Sequence, residues 1–148
     1  MMKSRTLFFI AIGLLILGIA LFTFSTRNQE PAQIFPATIN RDCTPWDGSA
    51  FTVSVQVSDG RIIDISIWQS PDFIFPKTFS FPDETGQVGN VMVRSNNGEY
   101  EILSGEARFE RVSVGEVVEG RFNFTSERGE AFQGQFIAEW GNVIAMCG

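Results

Sequence analysis

The chain has 148 residues, two cysteines, no histidine and a formal charge of −6, from seventeen acidic and eleven basic side chains. Without imidazole there is no Ser-His-Asp or Cys-His nucleophile, no ordinary general base near neutral pH, and none of the commonest transition-metal ligand. The acidic excess repels nucleic acid and anionic lipid headgroups, so no nucleic-acid partner is expected.

Residues 7–24, LFFIAIGLLILGIALFTF, are eighteen nearly unbroken apolar residues with no charge and no proline. At about 1.5 Å per residue a helix of that length covers roughly 27 Å, close to the hydrocarbon thickness of a bilayer. Residues 1–24 are therefore expected to form a transmembrane signal-anchor. Lys3 and Arg5 precede it and only Arg27 and Glu30 follow closely, so the positive-inside bias leaves the N-terminus in the cytoplasm and the rest outside. The expected location is a cell membrane, crossed once, with an extracytoplasmic domain.

The alternative is secretion after cleavage of a signal peptide. Gly18-Ile19-Ala20 and Thr23-Phe24-Ser25 fit a small-x-small site loosely, but an h-region usually runs to only about 7–15 residues. No cysteine near the end of the run offers a lipid acceptor. Gly13 is followed four residues later by Leu17 and Gly18 by Phe22, so no small-xxx-small pair favours a helix dimer.

Residues 25–42, STRNQEPAQIFPATINRD, contain Pro31 and Pro36 and show no sustained period, which predicts a flexible linker. Residues 43–148 then form one domain, because the length after the anchor suits a single core. Past the anchor there are nine basic and seventeen acidic residues, a net of −8. Cys43 and Cys147 bracket this domain and predict a disulfide. In the chain-entropy model, closing a loop of about 100 residues removes on the order of 4–5 kcal/mol of unfolded-state entropy. No C-x-x-C spacing, third sulfur or imidazole accompanies them, so neither a metal nor a cofactor is expected.

The CTPWDG stretch has turn chemistry in Pro45 and Asp47-Gly48, with Trp46 placed to pack near the disulfide. Trp46 lies too close to the first cysteine for an immunoglobulin domain. From Ala50 the chain alternates, with Phe51, Val53, Val55 and Val57 on one face, and predicts a half-buried strand. Asp59-Gly60 supplies a tight type I′ turn. The strand over 61–69 returns with Ile63, Ile65 and Ile67 inside, leaving Ile62, Asp64, Ser66 and Trp68 on the opposite face.

Residues 70–87 repeat a Phe-x-Phe-Pro unit, Phe73 to Pro76 and Phe79 to Pro82, and their prolines predict an edge or a long loop. The phenylalanines either close one end of the core or form an exposed lip for a partner or apolar ligand. Trp68, Phe73, Phe75, Phe79 and Phe81 are the candidate lip.

Further strands are expected over 88–94 and 99–104, joined by the Ser95-Asn96-Asn97-Gly98 turn, and over 106–114. The last hairpin alternates Val118, Gly120, Phe122 and Phe124 against Phe132, Gly134, Phe136, Ala138 and Trp140, across the SERGE turn. Pairing Phe124 with Phe132 sets Phe122 opposite Gly134 and Gly120 opposite Phe136. Each glycine would then be covered by a ring, a device that permits strong curvature. Asn123-Phe124-Thr125 matches the N-glycosylation acceptor, but Asn123 falls mid-strand and the match is read as chance.

The expected fold is all-β: seven or eight antiparallel, hairpin-connected strands in a small barrel or a sandwich, with the barrel favoured. The expected function is that of a non-catalytic binding or structural module of the cell envelope, with another envelope protein as partner. A lipocalin-like barrel holding an apolar ligand is the alternative, and a carboxylate-based hydrolase a remote one. Asp47, Asp64, Asp72, Asp83 and Glu84 are the carboxylates available to such a hydrolase, and Lys77 with Ser80 the one serine-lysine pair.

Overall fold

The computed structural model describes residues 33–46, 48–69, 75–142 and 145–147. The expected anchor and residues 25–32 lie outside them. Among the described residues no helix is long and apolar enough to cross a membrane.

The unit Ala32–Gly148 holds eight strands. They are β1 (Ile34–Cys43), β2 (Ser49–Gln56), β3 (Ile62–Ile67), β4 (Lys77–Phe81), β5 (Gly89–Arg94), β6 (Tyr100–Arg111), β7 (Val118–Ser126) and β8 (Ala131–Trp140). Seven of them close into a barrel in the order β6-β5-β3-β2-β1-β8-β7 and back to β6, and β4 is an extra strand paired with β6. Strict alternation writes this wall, since β7 is buried at every second residue from Val118 to Ser126 and exposed between, and β3 and β5 follow the same period.

Three features differ from the sequence reading. Residues 34–42, read as part of a linker, form β1 together with Cys43, with Phe35 and Ile39 buried. Pro36 is tolerated there because the ladder with β2 begins one residue later, at Ala37 opposite Val55. Second, β1 pairs with β8 in parallel, Ile34 with Gln135 through to Ile39 with Trp140, so the barrel is not wholly antiparallel. Third, the strands read over 99–104 and 106–114 are one strand, β6. Gly105 does not break it. At φ +138°, a Cβ there would lie 2.1 Å from the Asn123 carbonyl oxygen, so only glycine admits β7 this closely.

One turn closes three hairpins at the lower end of the barrel, the end at which Gln33 leads into β1. Val57 to Arg61, Ser95 to Glu99 and Ser126 to Glu130 each hold a three-residue loop, and each loop ends in a glycine near φ +85°. The first was expected as a two-residue turn on Asp59-Gly60. The longer loop with its left-handed glycine gives the same reversal.

The interior is lined with aromatic rings that touch one another. Phe109 meets Phe51, Phe79 and Phe136 with ring centroids 5.8, 5.7 and 5.5 Å away, all edge-on. Phe124 meets Phe81 at 6.2 Å and stacks on Phe122 at 5.7 Å. Edge-on and offset rings add about 0.5–1.5 kcal/mol per pair beyond their burial. The expected register of the last hairpin is present, with Phe124 opposite Phe132, Phe122 opposite Gly134 and Gly120 opposite Phe136. Gly120 is covered by Phe136 as expected, but the ring over Gly134 is Phe35 of β1 rather than Phe122.

Cys43 and Cys147 are joined, 104 residues apart in sequence. Replacing both by serine is expected to lower the unfolding free energy by about 2–5 kcal/mol in urea titration. A Cβ on Gly120 would stand 2.3 Å from Phe136 Cζ and 2.7 Å from the Arg108 carbonyl oxygen. Gly120→Ala is therefore expected to cost about 1–3 kcal/mol in the same titration, because neither the buried ring nor the backbone can give way.

Candidate functional site

The candidate lip residues divide between core and rim. Phe79 and Phe81 are 2% and 3% exposed and belong to the core, and Phe75 packs half-buried against it. Phe73 lies outside the described residues. Trp68 is half-buried at the upper end, edge-on to Trp46 at 5.6 Å, and Trp46 is 54% exposed. Alternation along β4 turns Phe79 and Phe81 inward, which the dense prolines of residues 70–87 conceal in the sequence.

Of the candidate catalytic groups among the described residues, Asp64 is on β3, Lys77 and Ser80 are on β4, and Asp83 and Glu84 follow β4. Asp64 accepts from Ser54 Oγ at 2.6 Å and lies 3.7 Å from Arg94 Nε. Asp83 accepts from the amides of Thr85 and Val88 and from the Thr85 hydroxyl. The Thr85 hydroxyl, first of these, holds the Asp83 carboxyl below its ordinary range. Glu84 is exposed, and Asp47 and Asp72 lie outside the described residues. Ser80 donates to Glu106 on the outer face, whereas the Lys77 ammonium stands 4.8 Å over the Phe79 ring. Among the described residues no three His, Cys, Asp or Glu side chains gather as metal ligands.

One arrangement of polar side chains is on the outer wall, across β4, β6 and β7. Alternation leaves Thr78 on β4, Glu106 and Arg108 on β6, and Arg121 and Asn123 on β7 pointing away from the core. They line a groove of about 280 Å³ whose floor reaches Phe122. The register places Arg108 directly opposite Arg121 and next to Thr78, and Glu106 directly opposite Asn123 and next to Ser80. Arg108 Nε donates to Glu110 Oε1 at 2.9 Å, and that bond, with a smaller contribution from the Arg121 charge, lowers the Glu110 pKa. Among the described residues Arg121 makes no ion pair. On β8 the rows continue with Gln135 opposite Arg121 and Gln133 opposite Asn123.

No protein-family model matches the chain, and no similar curated protein or solved structure was found.

Sequence reasoning missed this groove. The outward polar positions of β7 are legible from its alternation, but splitting β6 at Gly105 removes the register that sets the two arginines face to face.

A second charged cluster ties the lower end together. Arg61 donates to both Glu130 oxygens, at 2.9 and 2.5 Å, and through Nε to Asp59 at 2.6 Å, while its guanidinium lies 4.7 Å over the Phe132 ring. It thus joins the β2–β3 turn to the β7–β8 turn. The hydrogen bonds from Arg61 are the largest cause of lowered pKa values at both Asp59 and Glu130. A carboxylate whose folded pKa is depressed stabilises the fold above its unfolded pKa and loses that contribution as pH falls. Stability is therefore expected to decline from about pH 5 to pH 3. Arg61→Gln should flatten that decline, as read from urea midpoints across the range.

Proposed function

We propose that the chain is a membrane-tethered module of the cell envelope, whose β-domain stands outside the cytoplasm and works by binding at its outer surface, without catalysis. The observation that carries this is the aromatic core: Phe51, Phe109, Phe124 and Phe136 are buried to within 2%, and Phe109 packs edge-on against Phe51 and Phe136 across the barrel. The wall and rims are then the surfaces left for recognition. The Cys43–Cys147 bond suits an oxidising compartment, and residues 7–24 supply an apolar run long enough to span a bilayer. Among the described residues, Asp64 and Asp83 are each held by a neighbour and Glu84 is exposed, which favours a surface role for them over the paired carboxylates of a hydrolase.

The test is the location of the disulfide and the mass of the mature chain in cells. Intact cells treated with a membrane-impermeant reductant and then an impermeant maleimide should label Cys43 and Cys147, and the labelled chain should sediment with membranes and retain residues 1–24. Labelling only after lysis overturns the extracytoplasmic placement. A chain found in the medium without residues 1–24 overturns the tether.

A further inference from the structure

The geometry points to a carboxylate-binding site in the outer-wall groove, with Arg121 and Arg108 gripping the carboxylate of a sugar acid and Glu106 and Asn123 accepting from its hydroxyls. The site rests on the reading that the outer surface does the binding, and names the ligand class of that surface.

Like charges directly opposite on neighbouring strands are destabilising. Arg108 and Arg121 nonetheless face one another across the β6–β7 ladder, and a bound anion between them would remove the repulsion. Glu110 compensates Arg108 through Nε, so the terminal nitrogens of Arg108 and the whole fork of Arg121 face the groove uncommitted among the described residues. With Glu106 in the same groove, the two arginines and the two glutamates balance, so the groove is locally neutral on a domain whose net charge past residue 24 is −8. A guanidinium fork matches a planar carboxylate with two parallel hydrogen bonds. A doubly charged phosphate suits the site less, because the Glu106 carboxylate lines the same groove.

The neighbours of the arginines select what the carboxylate is attached to. Thr78, Ser80, Glu106, Asn123, Gln133 and Gln135 flank them in two rows, and every one is a hydrogen-bonding side chain. Such rows pair with hydroxyls, while Phe122 at the floor meets the carbon face of a ring. The volume of about 280 Å³ is just below that of drug-sized ligand sites, about 300–1,000 Å³, and fits a single sugar unit of a free acid or of a chain passing across the strands. All the side chains stand on paired strands, which hold them more rigidly than loops would.

The probe is glucuronate, titrated into the full-length chain in an uncharged detergent and followed by amide shifts in NMR, with glucose and inorganic phosphate in parallel. Glucuronate is expected to shift the β6 and β7 amides with saturation, and glucose to bind at least about tenfold more weakly, the scale of one lost charge-assisted contact. Arg121→Gln and Arg121→Lys should each weaken glucuronate by a similar factor, the lysine variant because it keeps the charge and loses the fork. Both substitutions are on the exposed wall, and an unchanged thermal midpoint confirms that they fold. If Arg121→Gln does not fold, Arg121→Lys alone decides. Tighter binding of a uronate trimer than of the monomer identifies a chain-linked sugar acid, and equal binding a free one. Absent glucuronate shifts, equal affinity for glucose, tighter binding of phosphate, or indifference to both Arg121 variants each overturn the site. Any of these with the outside labelling of Cys43 and Cys147 intact removes the site and leaves the envelope placement standing.

Discussion

A curved sheet lined with phenylalanine and isoleucine leaves two edges open until its first and last strands meet, and the parallel seam between β1 and β8 is where they do. Gln135 donates to the Gln33 carbonyl at the lower end of that seam and Gly141 to the Ile39 carbonyl at the upper end. The seam joins residues roughly a hundred apart, so its hydrogen bonds form only after a large loop has closed, at an entropic cost the early hairpins do not face. The Cys43–Cys147 bond spans the same separation from the upper end of β1 to the segment following β8. It removes from the unfolded chain much of the freedom that forming the seam would otherwise have to remove.

Closure forces the interior to be small, and ring and glycine complement one another to fill it. Gly120 and Gly134 face inward, and the volume their side chains would take is occupied by Phe136 and Phe35. Phe35 reaches Gly134 from β1 and lies 5.8 Å from Phe122, so the seam strand takes part in the aromatic packing as well as the hydrogen bonding. At the lower end Arg61 covers Phe132 and ties two turns together, which makes the rim of the barrel depend on carboxylates remaining ionised.

The parts of this fold legible in the sequence are those whose order is local. The β2–β3 and β7–β8 hairpins follow from period-two alternation and a glycine turn, and for β7–β8 even the residue-by-residue pairing can be derived. β1 was not legible because Pro36, Asn40, Arg41 and Asp42 interrupt its apolar set, and its strand character comes from two ladders with distant partners. Gly105 misleads for a related reason. A glycine between polar residues resembles a turn, whereas its role is the approach of Asn123 from another strand. The groove inherits both difficulties, since Arg108 and Arg121 become neighbours only through the β6–β7 register.

The same economy of size sets what an interior site would cost. Opening an interior site would mean truncating rings such as Phe109 or Phe124, at about 3–5 kcal/mol each. Domains of this length have only about 5–15 kcal/mol of stability in total. A single emptied ring position would therefore consume a large fraction of what holds the barrel closed. Outward positions carry no such cost, because a change from polar to charged side chain on an exposed wall shifts stability by only about 0.5 kcal/mol. A row of arginine, asparagine, glutamine and threonine across β4, β6, β7 and β8 can thus be shaped for recognition while the phenylalanines behind it stay fixed, and those same phenylalanines hold the strands, and with them the facing arginines, in register.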